Sequence, residues 1–323
     1  MAVIDLSNWT PETYAGEMIK RYTTSSAVEQ VAGRREPMVS DTKKIAKDAD
    51  ADVTVTPTGT AYTEDTKAGT NIQLDAAKLT HLSSYNEEDL ADAAAWQNAT
   101  DSKKRNASSN LALLFDNASL AVTGARVDES VGQPYESVYH NIATNAAGNI
   151  VTVSKAAFAT NSAALNTALS NVLDIVENSA WASEDLVWVA SPAFKTLLRT
   201  MDATGKNGIN WYVPALGGAP GNVDRDKIGE YSVAWTRAAR LSAAATYAPT
   251  ASVGAKGALG NAIAVLVPRQ QLIIGDRAPL ESMYLDPKTG IGALSDKAYL
   301  KMRRRVAFLL GEATAGAVLE IIT

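Results

Sequence analysis

Large apolar residues are sparse in the first part of the chain and become frequent only later. From Asp52 to Leu74 the sequence reads DVTVTPTGTAYTEDTKAGTNIQL, with Val53, Val55, Tyr62 and Ile72 set among threonines and charges. Alternation of Val and Thr is a strand pattern, and Pro57-Thr58-Gly59 and Lys67-Ala68-Gly69 are turn triplets. The pattern predicts a two-stranded ribbon with too few large apolar residues to bury a face of its own. A lone hairpin is marginal in water, so the ribbon is expected to lie on another surface, that of another subunit included.

Upstream, residues 1–47 are short of core residues. Thr10 and Pro11 suit the cap and first turn of an amphipathic helix to Tyr22. The segment then turns basic, with Lys20, Arg21, Arg34, Arg35, Lys43, Lys44 and Lys47 against Glu29, Glu36 and Asp41. Such a run reads as a solvated arm or as an arm that touches a neighbour or an anionic interior.

Downstream, Ala76–Ser84 reads as a return strand, and Asn86-Glu87-Glu88-Asp89 opens a helix with acids at its positive end. Leu111, Leu114, Phe115, Ala118 and Val122 repeat at helical spacing. No Pro or Gly interrupts Gln97–Asn110, so one long helix from about Asn86 to Val122 is expected, with a break near 100–106 as the alternative. A mixed region follows. It has a helix over 154–178, a buried strand LVWVA at 186–190, and a helix after Ser191-Pro192 to about Met201. Strands are expected at 231–235, 262–267, 271–275, 280–285, 299–310 and 318–322.

A length of 323 residues suits about two domains, or one elongated domain. A net charge of −5 argues against a surface that grips nucleic acid everywhere, while leaving room for a local basic segment. Cysteine is absent, which removes disulfides, thiolate nucleophiles and Cys-ligated metals. The N-terminus lacks the basic and apolar regions of a secretory signal, and no apolar run is long enough to span a bilayer. The glycosylation sequons, at Asn8, Asn98, Asn106 and Asn117, are therefore read as chance matches.

Catalytic patterns are missing. His81 and His140 stand in no ligand spacing and read as surface or hydrogen-bonded structural residues. Gly205-Lys206-Asn207 lacks the rest of a P-loop. Asp48, Asp50 and Asp52 begin a calcium-loop pattern that fails at Val53 and Gly59. No catalytic, cofactor-binding or metal-binding residue is assigned, and no cofactor. Arg303, Arg304 and Arg305 stand in a strand that places Arg303 and Arg305 on one face. They read either as the charged guard of an exposed edge strand or as partners of carboxylates across a subunit boundary.

The order of elements resembles the major capsid proteins of tailed bacteriophages, with the Johnson fold. LTHLSSYNEEDLADAA resembles that family's entry to its spine helix, and LALLFDNASLAVTGAR the end of that helix. DLVWVASPAFKTLLRTMDATGKN resembles the axial strand, proline turn and helix, and IIGDRAPLESMYLDPKTG and AYLKMRRRVAFLLGEATAGAVLEI the closing strands. The resemblance implies an α+β chain with an N-terminal arm (1–48), a β-hairpin E-loop (49–78), a peripheral domain with the spine helix (79–150), an axial domain (151–270) and a return to the peripheral domain (271–323). It implies a non-enzymatic subunit of an icosahedral virion shell, made in a bacterial cytoplasm and assembling with itself into pentamers and hexamers. Expected partners are a portal protein, DNA on the inner face and a separate scaffolding protein, the last because arm and ribbon fill the residues before the spine helix. No membrane contact is expected. Candidate interface residues are Trp9, Arg34, Arg35, Tyr62, Lys67, Arg303 and Arg305. The alternatives are an encapsulin-like shell and a cofactor-free α/β enzyme using Asp or Glu.

Overall fold

The computed structural model describes residues 25–47, 68–88, 96–128, 132–156, 162–181, 184–203, 212–213, 226–285 and 296–323. The expected helix at 11–22, Trp9, Tyr62, Lys67 and the Asp48–Asp52 run lie outside them.

Two sheets carry the fold. The larger joins β5 (Ile150–Ser154), β6 (Leu186–Ala190), β7 (Tyr212–Val213), β8 (Lys227–Ile228), β9 (Tyr231–Trp235), β10 (Ile263–Pro268) and β13 (Ala317–Ile322). Their spatial order is β5-β13-β10-β6-β9-β8-β7. Every residue of β6 is buried, because both faces of this sheet are covered. Leu186, Trp188 and Ala190 pack under α4 (Ser162–Glu177) and α5 (Ala193–Ala203), while Val187 and Val189 face the opposite way into the main core.

The smaller sheet has the order β1-β11-β12-β4, built from β1 (Arg34–Pro37), β4 (Ala77–Asn86), β11 (Leu272–Leu285) and β12 (Lys297–Leu310). Its inner face supplies Ile274, Met302, Val306 and Phe308 to the main core. Between the two sheets run α1 (Ala27–Val31), α2 (Trp96–Leu120) and α3 (Val138–Asn145). Phe115 on α2 is fully buried and meets Tyr135 and Phe308 edge-on, at centroid distances of 5.7 and 6.2 Å. The long helix is thus present over 96–120 and unbroken through 100–106. Leu113 and Leu120 are also buried, because the C-terminal half of α2 is enclosed all round; Leu114, expected in the stripe, is only half-buried.

Two expectations are corrected. The segment before the ribbon is not short of core: Ala27, Val28 and Val31 of α1 are buried in the main cluster. The strand that holds Arg303–Arg305 is not an edge, since β12 pairs with β11 on one side and β4 on the other. Within 271–323, β11 and β12 join β4 in the smaller sheet, while β13 pairs with β5 and β10 in the larger one. Its residues Ala317–Ile321 are all buried, and only a sheet covered on both faces can take so apolar a strand. The expected strands at 271–275 and 280–285 are one strand. Register shifts between Asp276 and Glu281 carry it past Pro279, which has no N–H to donate.

Candidate functional site

The segments in question are the N-terminal one and the ribbon, and the structure divides them into a seat and a stem. The seat is α1. Ser26 caps it, its hydroxyl accepting from Glu29 N at 3.1 Å and donating to Asp116 Oδ1 at 2.5 Å. Asp116 lies on α2, fully buried, and also accepts from Ala27 N (3.0 Å), Val28 N (3.1 Å) and the Thr236 hydroxyl (2.8 Å). Burial pushes the Asp116 carboxyl up to about 6, against the opposing pull of these donors. The neighbouring Asn117 is buried too. Its amide donates to the carbonyls of Ala238 and Arg240 and accepts from Ser242 Oγ and Thr246 N. An amide held in that way is closed to glycosylation in the fold, in keeping with the reading of its sequon as chance.

The stem is β2 (Thr42–Lys47) paired antiparallel with β3 (Thr70–Asp75), with Lys47 opposite Thr70. The first strand of the ribbon therefore starts at Thr42, inside the basic stretch, because TKKIAK alternates and Ile45 faces Ile72. The stem lies on the outer face of the smaller sheet of the same chain. Ile45 and Leu74 are buried there with Met38, Ile273 and Ala307. The expectation that the ribbon rests on another subunit does not hold for these residues. Gly275 lets Met38 come down onto the sheet; a Cβ at Gly275 would stand 2.9 Å from Ala307 Cβ.

Charges surround the stem. Glu36 takes both Arg34 and Lys43 at 2.7 Å. Lys47 pairs with Glu312, Asp75 with Arg126 (3.0 Å), and Asp41 with Arg305 (3.1 Å) and Arg277 (3.5 Å). The hydrogen bond from Lys43, then that from Arg34, holds the Glu36 carboxyl below its usual range. At Glu312 burial acts the other way, but Lys47 and Thr314 together outweigh it and the carboxyl is again lowered. A groove of about 730 Å³ opens beside the stem, between Asp41, Asp75, Lys78, Leu114, Arg126 and Arg305.

Of the candidate interface residues, Arg34, Arg35, Arg303 and Arg305 are described, and each faces a carboxylate of its own chain. Arg303 meets Glu281 at 2.7 Å, and Arg35 meets Asp276 at 3.5 Å. Arg303 and Arg305 share the outer face as alternation requires, and each keeps over two-fifths of its side chain exposed. Arg304 points inward. It pairs with Glu29 and Asp276, lies over the Phe115 ring and so ties α1 to the sheet. Sequence reasoning missed Arg304 and Asp116 as tethers. The one available signal was the polar pair Asp116-Asn117 interrupting an apolar helical stripe.

The histidines have structural partners: His81 Nε2 lies 2.6 Å from Ser83 Oγ, and His140 Nδ1 meets Glu136. Burial, then the Lys103 charge, lowers the His81 pKa. Glu320, fully buried, accepts from Gly257 N, Asn261 Nδ2 and the Tyr139 hydroxyl. Among the described residues no His, Asp and Glu cluster suits a metal ion, and no helix is long and apolar enough to cross a membrane.

No family model matches the sequence, and the search of curated proteins found no match. Solved structures do match, over nearly the whole chain. A chain from Mycobacterium phage Bobi superposes with a TM-score of 0.64 at 15% identity, over 98% of this chain and 96% of that one. One from Gordonia phage Cozz gives 0.65 at 11% identity, over 97% and 91%. A chain in the structure titled "Capsid of empty GTA particle computed with C5 symmetry" gives 0.60 at 14% identity, over 96% and 94%. The chain is thus a mixed α+β protein with a fold found in phage structures. More particularly, it has the fold of a protein solved within a capsid.

Proposed function

We propose that this chain is a major capsid protein, which assembles with copies of itself into the icosahedral head of a tailed phage. The observation that carries the reading is the extent of the likeness: the match covers 96% of this chain and 94% of the chain from the GTA capsid structure. In this reading the sheet of β1, β4, β11 and β12, with α2 as spine helix, is the peripheral part. The seven-stranded sheet with α4 and α5 is the axial part, and β2–β3 is the root of the E-loop. Flat wedges of this kind meet around five-fold and six-fold axes, and the obligate interfaces between them keep polar segments ordered. Arg35 and Arg305 then hold the arm and ribbon root to the sheet, Arg34 orients Glu36, and Arg303 ties β12 to β11, with their exposed edges left for a neighbour. Trp9, Tyr62 and Lys67 remain candidates for contacts between subunits.

The chain works without catalytic turnover, and its chemistry supports that, since the buried carboxylates Asp116 and Glu320 are both committed to structural donors. A portal protein, packaged DNA and a separate scaffolding protein are the partners such a shell would take. The basic residues of the arm suit an anionic partner. An encapsulin-like shell or an enzyme is the lesser reading, because the similar structures named above come from phages and a GTA capsid.

Electron microscopy of the purified full chain tests the proposal. Closed or aberrant shells, eluting at megadalton size, are expected. A chain that stays monomeric under all assembly conditions, scaffolding protein included, contradicts it.

A further inference from the structure

The stem of the ribbon is attached to its own chain in an unusual way. Among the described residues β2 and β3 pair with each other and with no strand of either large sheet. Both strands leave the body at one point, where Ala76 N donates to Asp41 O at 2.8 Å. Just before it, Val39 is 90% exposed, and Ser40 and Asp41 are exposed as well. At the far end of the stem, five residues beyond Thr42, Lys47 reaches Glu312, in the turn between β12 and β13. Near the hinge, one residue beyond Thr42, Lys43 reaches Glu36 of β1.

We propose that β2–β3 is a strap, hinged where Asp41 meets Ala76 and clasped by Lys47–Glu312 and Lys43–Glu36, that lifts off the smaller sheet as one unit while the rest of the chain stays folded. The device belongs to the single chain and does not depend on the shell reading.

Lifting breaks no backbone ladder of either large sheet. It separates two partly exposed ion pairs and uncovers the small apolar patch of Ile45 and Leu74 over Ile273 and Ala307. The pairs of Asp41 with Arg277 and Arg305 lie at the hinge itself and survive the motion. Asp75 sits beside the hinge, and its partner Arg126 also holds Asp128. Nothing of this kind is open to α1, whose cap and first amides are bound to buried Asp116.

The charged groups facing the clasp set its response. Glu312 faces Lys47, with Thr314 beside it, and Glu36 faces Lys43 and Arg34. Both carboxyls are held below the ordinary glutamate value of 4.5, so their attraction is present above that pH and is lost as pH falls through the folded values beneath it. Salt weakens the same pairs, because they are partly exposed. Acid or high salt therefore opens the strap.

Hydrogen exchange of the full chain, compared at one assembly state and corrected for intrinsic rates, tests this. Glu312→Gln should speed exchange at 42–47 and 70–75 by roughly two- to fivefold, the range for a partly exposed ion pair, and leave β6 and β10 unchanged. The charge swap Lys47→Glu with Glu312→Lys should restore the original rates. Molar salt on the unsubstituted chain should act as Glu312→Gln does. Stem amides that exchange only together with β6 and β10, or that ignore both Glu312→Gln and salt, would overturn the proposal.

Discussion

Helix α1 and the β2–β3 stem come from one polar N-terminal stretch, yet they are held by opposite physics. The seat of α1 is a carboxylate with no solvent contact, saturated by donors from Ser26, Ala27, Val28 and Thr236. Removing one partner there leaves the others unsatisfied in a dry core, which is expensive. The stem is held by half-exposed ion pairs over a thin apolar patch, each worth little by itself. The contrast shows how one segment can be fixed at one end and adjustable at the other. If the chain builds a shell as proposed, both have a use, since a subunit must keep its fold while adapting its edges to neighbours.

The largest effect is expected at the seat. Asp116→Ala should lower the unfolding free energy of the unassembled chain by about 3 kcal/mol in urea, as several buried donors lose their acceptor. A loss no greater than that of Glu312→Gln would erase the distinction between the two regions. Next comes Gly275→Val, which places a side chain against Ala307 beneath Met38 and should cost about 2 kcal/mol. Because Met38 stands between seat and stem, this variant should also raise proteolysis at 39–41; a neutral effect would show that the close approach is not needed.

Acid should separate the regions by sign. The Asp116 carboxyl is raised from 3.8 to about 6, so its contribution to stability is complete below 3.8 and is lost as pH rises to about 6. Taking the protein from pH 7 to pH 5 therefore tightens the seat. Glu36 and Glu312 are lowered, and their contribution disappears only as pH falls below 4.5. Protection of Ala27–Val31 amides should rise between pH 7 and 5, and that of Thr42–Lys47 amides should fall below 4.5. Parallel changes in the two segments would refute the assignment. The smallest effect is that of Glu312→Gln on global stability, less than about 1 kcal/mol by urea unfolding.

How far the sequence revealed this follows from where each signal lies. LVWVA was readable to the residue, since a buried run bounded by turn residues leaves little choice, and so was the half-buried strand Tyr231–Trp235. The alternation that sets Arg303 and Arg305 apart from Arg304 was also readable, because a strand has period two wherever it lies in a sheet. Its place inside the sheet was not, for that depends on β4 and β11, far away in sequence. Helix α1 was invisible: it is five residues long and is fixed by Asp116, 90 residues from Ser26. The stem was taken for a solvated arm because TKKIAK shows one large apolar residue, and only Leu74 and Met38 complete the patch it needs. Pro279 split β11 in the sequence reading, whereas a register shift absorbs it in the fold.

The central proposal is that the chain builds a shell and that the segment between β2 and β3 is needed for assembly and not for folding. Excising residues 50–66 and bridging the gap with a short Gly-Ser turn spares β2 and β3 and tests it most directly, with particles counted by electron microscopy beside the intact chain. The account predicts that the excised chain folds with nearly unchanged urea stability and forms no closed shells, while the intact chain forms them. Closed shells from the excised chain would contradict it.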